Sequence, residues 1–443
     1  MAWDFETDES FQSQLDWASE FVGSEVMPLD VLWRERAYEP LTGAPREIVP
    51  PLKQRVRDQG LWGYHLSPEL GGAGRGQVEN GLLNEILGRS HWAPVIFGSN
   101  APDSGNAEII AHFGTTEQRA RYLQPLLDGE IFSCFSMTEP QGGADPAVFA
   151  THAERDGTDW ILNGEKYFST NAHVASFFIV MAWTSSGESA HRGMSMFLVP
   201  ADTPGIEIVR RVGVLGEPTG HGMHSLVRYA NVRLPGEALL GAEGQAFAIA
   251  QTRLGGGRIH HAMRSVGLAR WAMDMMCERA VSRHTAGSRL ADKQAVQAFI
   301  ADSWAQLEQF RLFVLQTAWK IDKYRDYLKV RKDIAAIKVL LPKVLSDIVG
   351  RAIQVHGAIG VSTDLPLARM MVTAASLGLA DGPTEVHQMT VTRQLLRDYT
   401  AAEGTWPSQY LPELAERARA KYAGILARYD TGLGELADAA ATA

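Results

Sequence analysis

The chain has 443 residues, 45% hydrophobic and 21% charged, which is ordinary globular composition and long enough to bury a core without staples. Its 42 basic and 51 acidic residues leave a formal charge of −9, which disfavours a general nucleic-acid binder. Cys134 and Cys277 are its only cysteines, too few for a disulfide framework or a structural zinc site.

Residues 1–130 predict a helical region. Phe11, Leu15, Ala18, Val22 and Val26 fall at helical spacing, and further helices are predicted over 49–59, 78–87 and 117–127. Asp4, Glu6, Asp8, Glu9, Asp16 and Glu20 stand in a stretch with no Lys or Arg, the opposite of a signal or transit peptide. Residues 131–238 predict strands, at 131–137, 160–162, 177–183, 194–199 and 206–209. Asn163-Gly164 reads as a hairpin turn between 160–162 and Tyr167-Phe168. Residues 239–400 predict a bundle, with helices over 244–283, 293–327, 333–356 and 384–398. The tail, 401–443, opens on Gly404 and Trp406-Pro407 and carries one more helix over 411–429. The longest apolar run, 177–183, falls far short of the ~20 residues a membrane span needs. A cytoplasmic protein with no membrane or nucleic-acid partner is the expectation.

Several segments could carry chemistry. Gly71-Gly72-Ala73-Gly74-Arg75-Gly76 looks like a phosphate loop, but no strand of a βαβ unit precedes it, so a glycine-rich connector is the simpler reading. Met137-Thr138-Glu139-Pro140-Gln141-Gly142-Gly143-Ala144-Asp145 is either a polar turn or a place where backbone and hydroxyl meet a ligand closely. In Lys166-Tyr167-Phe168-Ser169-Thr170-Asn171, an aromatic beside hydroxyls suits the face and edge of a flat heteroaromatic ring, or a half-buried strand. Leu254-Gly255-Gly256-Gly257-Arg258 is a flexible lead-in to a helix, or a fixed cation for an anionic or carbonyl-bearing chain. Pro383 suits a first helical turn, which puts Asp381 near the positive helix end as a cap or as a base in a glycine-lined pocket. His221 and His224 lack metal-site partners, and the adjacent His260 and His261 point in different directions on a helix, so no metal is expected.

In order and spacing, these segments resemble the acyl-CoA dehydrogenase family, flavoproteins that oxidise acyl-CoA thioesters, over about residues 10–400. The resemblance implies an α+β fold: an N-terminal helical domain (1–130), a middle β-barrel or sandwich domain (131–238), a C-terminal four-helix bundle (239–400) and a helical tail (401–443). It implies FAD, with Met137 and Thr138 meeting the isoalloxazine, Phe168 packing on the ring and Thr170 near flavin N5, beside Ser169. Arg283, Thr285 and Gln294 match residues that reach the pyrophosphate and adenine across a subunit interface. Gln354, Val355, His356, Gly357 and Ala358 match a second such segment, and Pro383 and Glu385 a third. Shared sites of this kind imply a homodimer or homotetramer.

Asp381 matches the family's catalytic carboxylate, commonly Glu, which removes the α-proton while the β-hydrogen leaves as hydride, giving a trans-2-enoyl-CoA. Desolvation beside an apolar thioester is expected to raise its pKa. Donors to the thioester carbonyl are, by resemblance, the backbone N–H of Asp381 and a ribityl hydroxyl of FAD. Arg258 and Gly382 match substrate contacts, as does Ala144, which stands where Ser is common. Gly257 stands where some members carry an alternative Glu base. The stretch Ala380-Asp381-Gly382-Pro383-Thr384-Glu385-Val386-His387 is similar to the branch of family members ten and eleven, associated with long or branched acyl chains. The implied electron acceptor is an electron-transferring flavoprotein. A nitroalkane-oxidase-like flavoprotein of the same fold also uses an Asp base, while a DNA-binding relative is opposed by the charge.

Overall fold

A computed structural model of the chain describes residues 5–68, 72–218 and 220–429, without the side chains of 254–256 and 428–429. Gly71, at the head of the glycine-rich connector, and the tail beyond 429 lie outside the described residues. Two units are distinguished, 1–391 and 392–443.

The first stretch is helical because its apolar residues recur on one face. Helix α1 (Glu9–Phe21) is capped by the Asp8 carboxylate, which accepts from the Phe11 N–H, and buries Phe11, Leu15, Ala18 and Phe21. It is followed by α2 (Met27–Trp33), α3 (Ala44–Asp58), α4 (Gln77–Leu87), α5 (Ala93–Ile96) and α6 (Asp103–Phe113). The helix predicted over 117–127 is broken. It splits into α7 (Thr116–Gln118) and α8 (Gln124–Leu127) around a π-turn, because Pro125 has no N–H to continue the α-helical ladder. Phe11, Val26, Val49, Leu61, Trp92 and Phe97 meet in one core.

Eight strands form one sheet: β1 (Ser133–Ser136), β2 (His152–Asp156), β3 (Asp159–Lys166), β4 (Phe177–Trp183), β5 (Met194–Pro200), β6 (Ile206–Val212), β7 (His224–Leu234) and β8 (Leu239–Leu240). The order is β6-β7-β3-β2-β4-β5-β8, with β1 parallel to β4. β4 is buried on both faces, which is why it reads as an unbroken apolar run. Asn163-Gly164 is not a turn. It lies inside β3, where pairing with β7 shifts register between Leu162 and Gly164. The real turn is at Gly157-Thr158, where Asp156 pairs with Asp159. Gly164 is required there because a Cβ would come within 2.4 Å of the Thr151 hydroxyl.

The helical region that follows holds α9 (Ala246–Ser282), a hairpin of β9 (His284–Thr285) and β10 (Ser288–Arg289), α10 (Gln294–Tyr324), α11 (Arg331–His356), α12 (Leu367–Leu377) and α13 (Thr384–Leu396). Met263 and Val266 of α9, Phe310 of α10, Leu341 and Ile348 of α11 and Met370 of α12 share its core. Helix α4 packs on α9, so the bundle is joined to the N-terminal helices. In the second unit, Trp406 stacks on Tyr410 at 4.5 Å before α14 (Leu411–Tyr429). No described helix is long and apolar enough to cross a membrane, and no described cluster could hold a metal ion.

Candidate active site

Asp381 sits in the short loop between α12 and α13, in the left-handed region at φ +56°. That conformation costs a non-glycine residue about 1–3 kcal/mol, so the surroundings must impose it. Three helices do so through the backbone. Lys338 of α11, 2% exposed, donates from Nζ to the carbonyls of Leu377 and Ala380, both at 2.8 Å. Arg258 of α9 reaches the Asp381 carbonyl at 3.4 Å, and His387 Nε2 of α13 donates to the same oxygen at 3.2 Å. Gly382 follows at φ +104°, where a Cβ would lie 3.0 Å from His387 Nε2.

The Asp381 carboxylate is half-buried, and its oxygens accept no hydrogen bond from the described residues. Its nearest charged neighbour is His261 of α9, with Nε2 3.7 Å from Oδ2. Burial pushes the carboxyl up, but His261, Arg253, Lys338 and Arg258 together outweigh it and hold the group below its ordinary 3.8. The rise expected from desolvation is therefore reversed. Burial brings His261 itself down to about 4, so near neutral pH the charges facing Asp381 are those of the two arginines and the lysine.

Arg253, whose charge acts on Asp381, also meets the sheet. Its guanidinium lies 4.1 Å over the Phe135 ring at the end of β1, and Nε donates to Asn106 at 2.8 Å. Met137 and Thr138 follow directly, tied to the end of β3 and the segment that leads from it to Phe168. Lys166 Nζ donates to the Met137 carbonyl at 2.9 Å and to Glu139 Oε1 at 2.7 Å, and the Tyr167 N–H donates to the Thr138 carbonyl at 2.8 Å. Lys166 and Glu139 are fully buried. Phe168 is 43% exposed at φ +53°, its ring edge-on to Tyr167 and His224. Ser169 is buried against Ser136, and the Thr170 hydroxyl meets His224 Nδ1 at 3.0 Å. Asn171 is buried with neither atom of its side-chain amide partnered. A presented aromatic face, hydroxyls and an orphaned amide fit a flat heteroaromatic group with a polar edge.

The remaining sequence candidates are dispersed. Arg283, Thr285 and Gln294 are exposed at the far end of α9 and the start of α10. Along α9, the 25 residues from Arg258 to Arg283 span about 37 Å, so this chain does not bring them to Asp381. At the end of α11, Gln354 is exposed, His356 Nδ1 bonds the Ala352 carbonyl at 2.8 Å, and Gly357 stops the helix at φ +70° beside exposed Ala358. Val355 turns inward and belongs to the bundle core. Pro383 is half-buried, Glu385 is exposed in the first turn of α13, and Ala144 is exposed in the turn after β1. In the glycine-rich stretch of α9, the surroundings of Leu254, Gly255 and Gly256 lie outside what is described, and at Gly257 a Cβ would meet open space.

Sequence reasoning missed Lys338, Arg253 and the role of His261. Helical spacing held the signal for His261, which lies three residues after Arg258 and so shares its face, while His260 turns into the core.

The family model for the acyl-CoA dehydrogenase N-terminal domain matches residues 8–130, that for the middle domain 134–226 and that for the C-terminal domain 244–396. A probable acyl-CoA dehydrogenase of Mycobacterium tuberculosis, FadE2, is 43% identical over 362 residues, 81% of this chain and 88% of that protein. Acyl-CoA dehydrogenase family member 11 of Rattus norvegicus is 41% identical over 356 residues, 79% of this chain but only 45% of the longer rat protein. Butyryl-CoA dehydrogenase of Megasphaera elsdenii superposes with a TM-score of 0.76 at 27% identity, covering 89% of this chain and 100% of that one. The three domain matches in order, on a helix–sheet–helix fold, place the chain in the acyl-CoA dehydrogenase family, whose members are FAD-dependent oxidoreductases.

Proposed function

We propose that the protein oxidises an acyl-CoA thioester to a trans-2-enoyl-CoA, with Asp381 as the base that removes the α-proton. The observation that carries this reading is the Asp381 carboxylate: held below the ordinary carboxylate range by the cations around it, free of hydrogen bonds from the described residues on its oxygens, and fixed through its backbone. A carboxylate held in this way keeps its oxygens available to take a proton. The Asp381 N–H makes no hydrogen bond within the described residues and suits the thioester carbonyl as charge develops on it. Arg258 and Gly382 border that position, and Ala144 would lie along the CoA arm.

FAD, when bound, supplies the acceptor for the β-hydride. Met137, Thr138, Phe168, Ser169 and Thr170 would hold its ring system, and Gln354, His356, Gly357, Ala358, Pro383 and Glu385 its outer parts. Because Arg283, Thr285 and Gln294 stand about 37 Å along α9 from Arg258, they would serve the FAD of a second copy. This supports a homodimer or homotetramer. An electron-transferring flavoprotein is the proposed acceptor, and long or branched chains are the proposed substrates.

The test is anaerobic titration of the FAD-loaded protein with short, long and 2-methyl-branched acyl-CoAs, comparing wild type with Asp381→Asn. Bleaching of the flavin band is expected for one class, with a loss of about 10²–10⁴-fold in rate for the variant. Turnover of small nitroalkanes with no response to any acyl-CoA would overturn the substrate. Near-normal turnover by the variant would overturn the base.

A further inference from the structure

His260 and His261 are neighbours in sequence with opposite surroundings. His260 is buried, its Nε2 against the Asn80 amide and its ring edge-on to His65 at 5.4 Å. His261 makes no side-chain hydrogen bond within the described residues, and its side chain is 28% exposed. Its Nε2 faces Asp381 Oδ2 at 3.7 Å, and no other described group lies as close to that carboxylate with a proton-accepting nitrogen. Arg258, His387 and Lys338 all act on the backbone around Asp381 instead. The charged groups that face His261 are Asp381, Arg264 and Arg253 on its own helix, and Lys338 on α11.

We infer that His261 receives, at Nε2, the proton that Asp381 removes from the substrate α-carbon. The inference rests on Asp381 being the base. In the first step the Cα–H bond breaks, an O–H bond forms at Asp381, and the electron pair stays on carbon to build the new double bond. FAD, when bound, would supply the acceptor for the β C–H pair as hydride. In the second step the O–H bond breaks, its electron pair stays on Oδ2, and an N–H bond forms at Nε2. Asp381 is again a carboxylate, and the imidazolium gives its proton to water at its exposed edge. The step needs the tautomer with hydrogen on Nδ1, which leaves Nε2 as an acceptor. A separation of 3.7 Å is closed by a small side-chain movement, as catalytic hydrogen bonds tighten when substrate binds. Burial, and then the cations of Arg264, Lys338 and Arg253, disfavour a lasting imidazolium, so the proton is passed on.

The experiment separates proton departure from turnover. Wild type, His261→Gln, His261→Asn and Asp381→Asn, each loaded with FAD, are mixed anaerobically in D2O with butanoyl-, decanoyl- or hexadecanoyl-CoA and no electron acceptor. Deuterium at Cα of the recovered acyl-CoA is read by mass spectrometry. Label enters only if the abstracted proton leaves Asp381 for solvent before it returns to carbon. His261→Gln keeps a polar group near Nε2 but cannot carry the proton, and is expected to label at least about tenfold more slowly than wild type. Its single-turnover oxidation rate should fall less than its labelling rate. His261→Asn, smaller and equally unable to accept, should behave alike. Wild-type labelling in either variant would overturn the relay while leaving the base intact. Full labelling by Asp381→Asn would overturn the base reading and the relay with it, whereas no labelling of any acyl-CoA by wild type would overturn the relay.

Discussion

Replacing Lys166 by Met should destabilise the protein by about 3 kcal/mol, the lower end of the about 3–5 kcal/mol that breaking a buried ion pair costs. The ammonium is fully buried, 2.7 Å from Glu139 Oε1 and 2.9 Å from the Met137 carbonyl, and 4.8 Å from the centre of the Phe149 ring. Its removal strands a buried carboxylate. The loss stays at the lower end because Glu139 keeps the N–H groups of Ala150 and Thr151 and the Gln141 amide. Adding Glu139→Gln removes the stranded charge, so the double variant should recover about 1–2 kcal/mol of the single variant's loss. Urea unfolding of wild type, both single variants and the double variant measures this. Because the pair ties Met137 and Thr138 to the end of β3, two residues before Phe168, FAD affinity should fall in Lys166→Met as well. A loss below about 1 kcal/mol, or a double variant no more stable than Lys166→Met, would refute the reasoning.

Acid should unfold the protein well above the carboxylate range. Burial brings His65 and His387 to about 4 and His91 to about 3, whereas an unfolded imidazole takes up its proton near 6.5. The unfolded chain therefore binds more protons below that point. Stability is full above about pH 6.5 and falls toward pH 4, by up to about 1.4 kcal/mol per pH unit for each ring. Urea midpoints at pH 7 and pH 5 test this, and equal midpoints would contradict it. Gly382→Ala places a Cβ at φ +104°, 3.0 Å from His387 Nε2, and should cost about 1–3 kcal/mol and displace the Asp381 loop. Thermal melts and acyl-CoA turnover check both effects, and a variant with wild-type values for both would show the loop to be adaptable.

Much of the architecture was legible because burial leaves a period in sequence. Strand β4 is Phe177–Trp183 as an unbroken apolar run predicts, and α14 spans Leu411–Tyr429 as its spacing predicts. Strand β7, His224–Leu234, was missed because Arg228, Asn231 and Arg233 on its open face interrupt the apolar signal. Asn163-Gly164 carries turn chemistry, yet pairing with β7 absorbs it as a register shift inside β3. Asp381 stood out through its Gly-Pro context. Lys338 did not, because a lysine within α11 reads as a surface charge until the α12–α13 loop is seen folded over it.

The way the loop is held bears on its chemistry. A carboxylate positioned by donors to its own oxygens would be fixed, but those bonds would lower its basicity and would break as it took a proton. Here the donors from Arg258, His387 and Lys338 go to the carbonyls of Asp381, Ala380 and Leu377. The strained φ of Asp381 is carried by those contacts, so the carboxylate oxygens stay free within a cationic rim. Acyl-chain binding would displace water from this rim and raise the carboxyl from its low starting point, toward a stronger base. His261, with Nε2 3.7 Å from Oδ2, is the neighbouring group proposed to take the proton from that base.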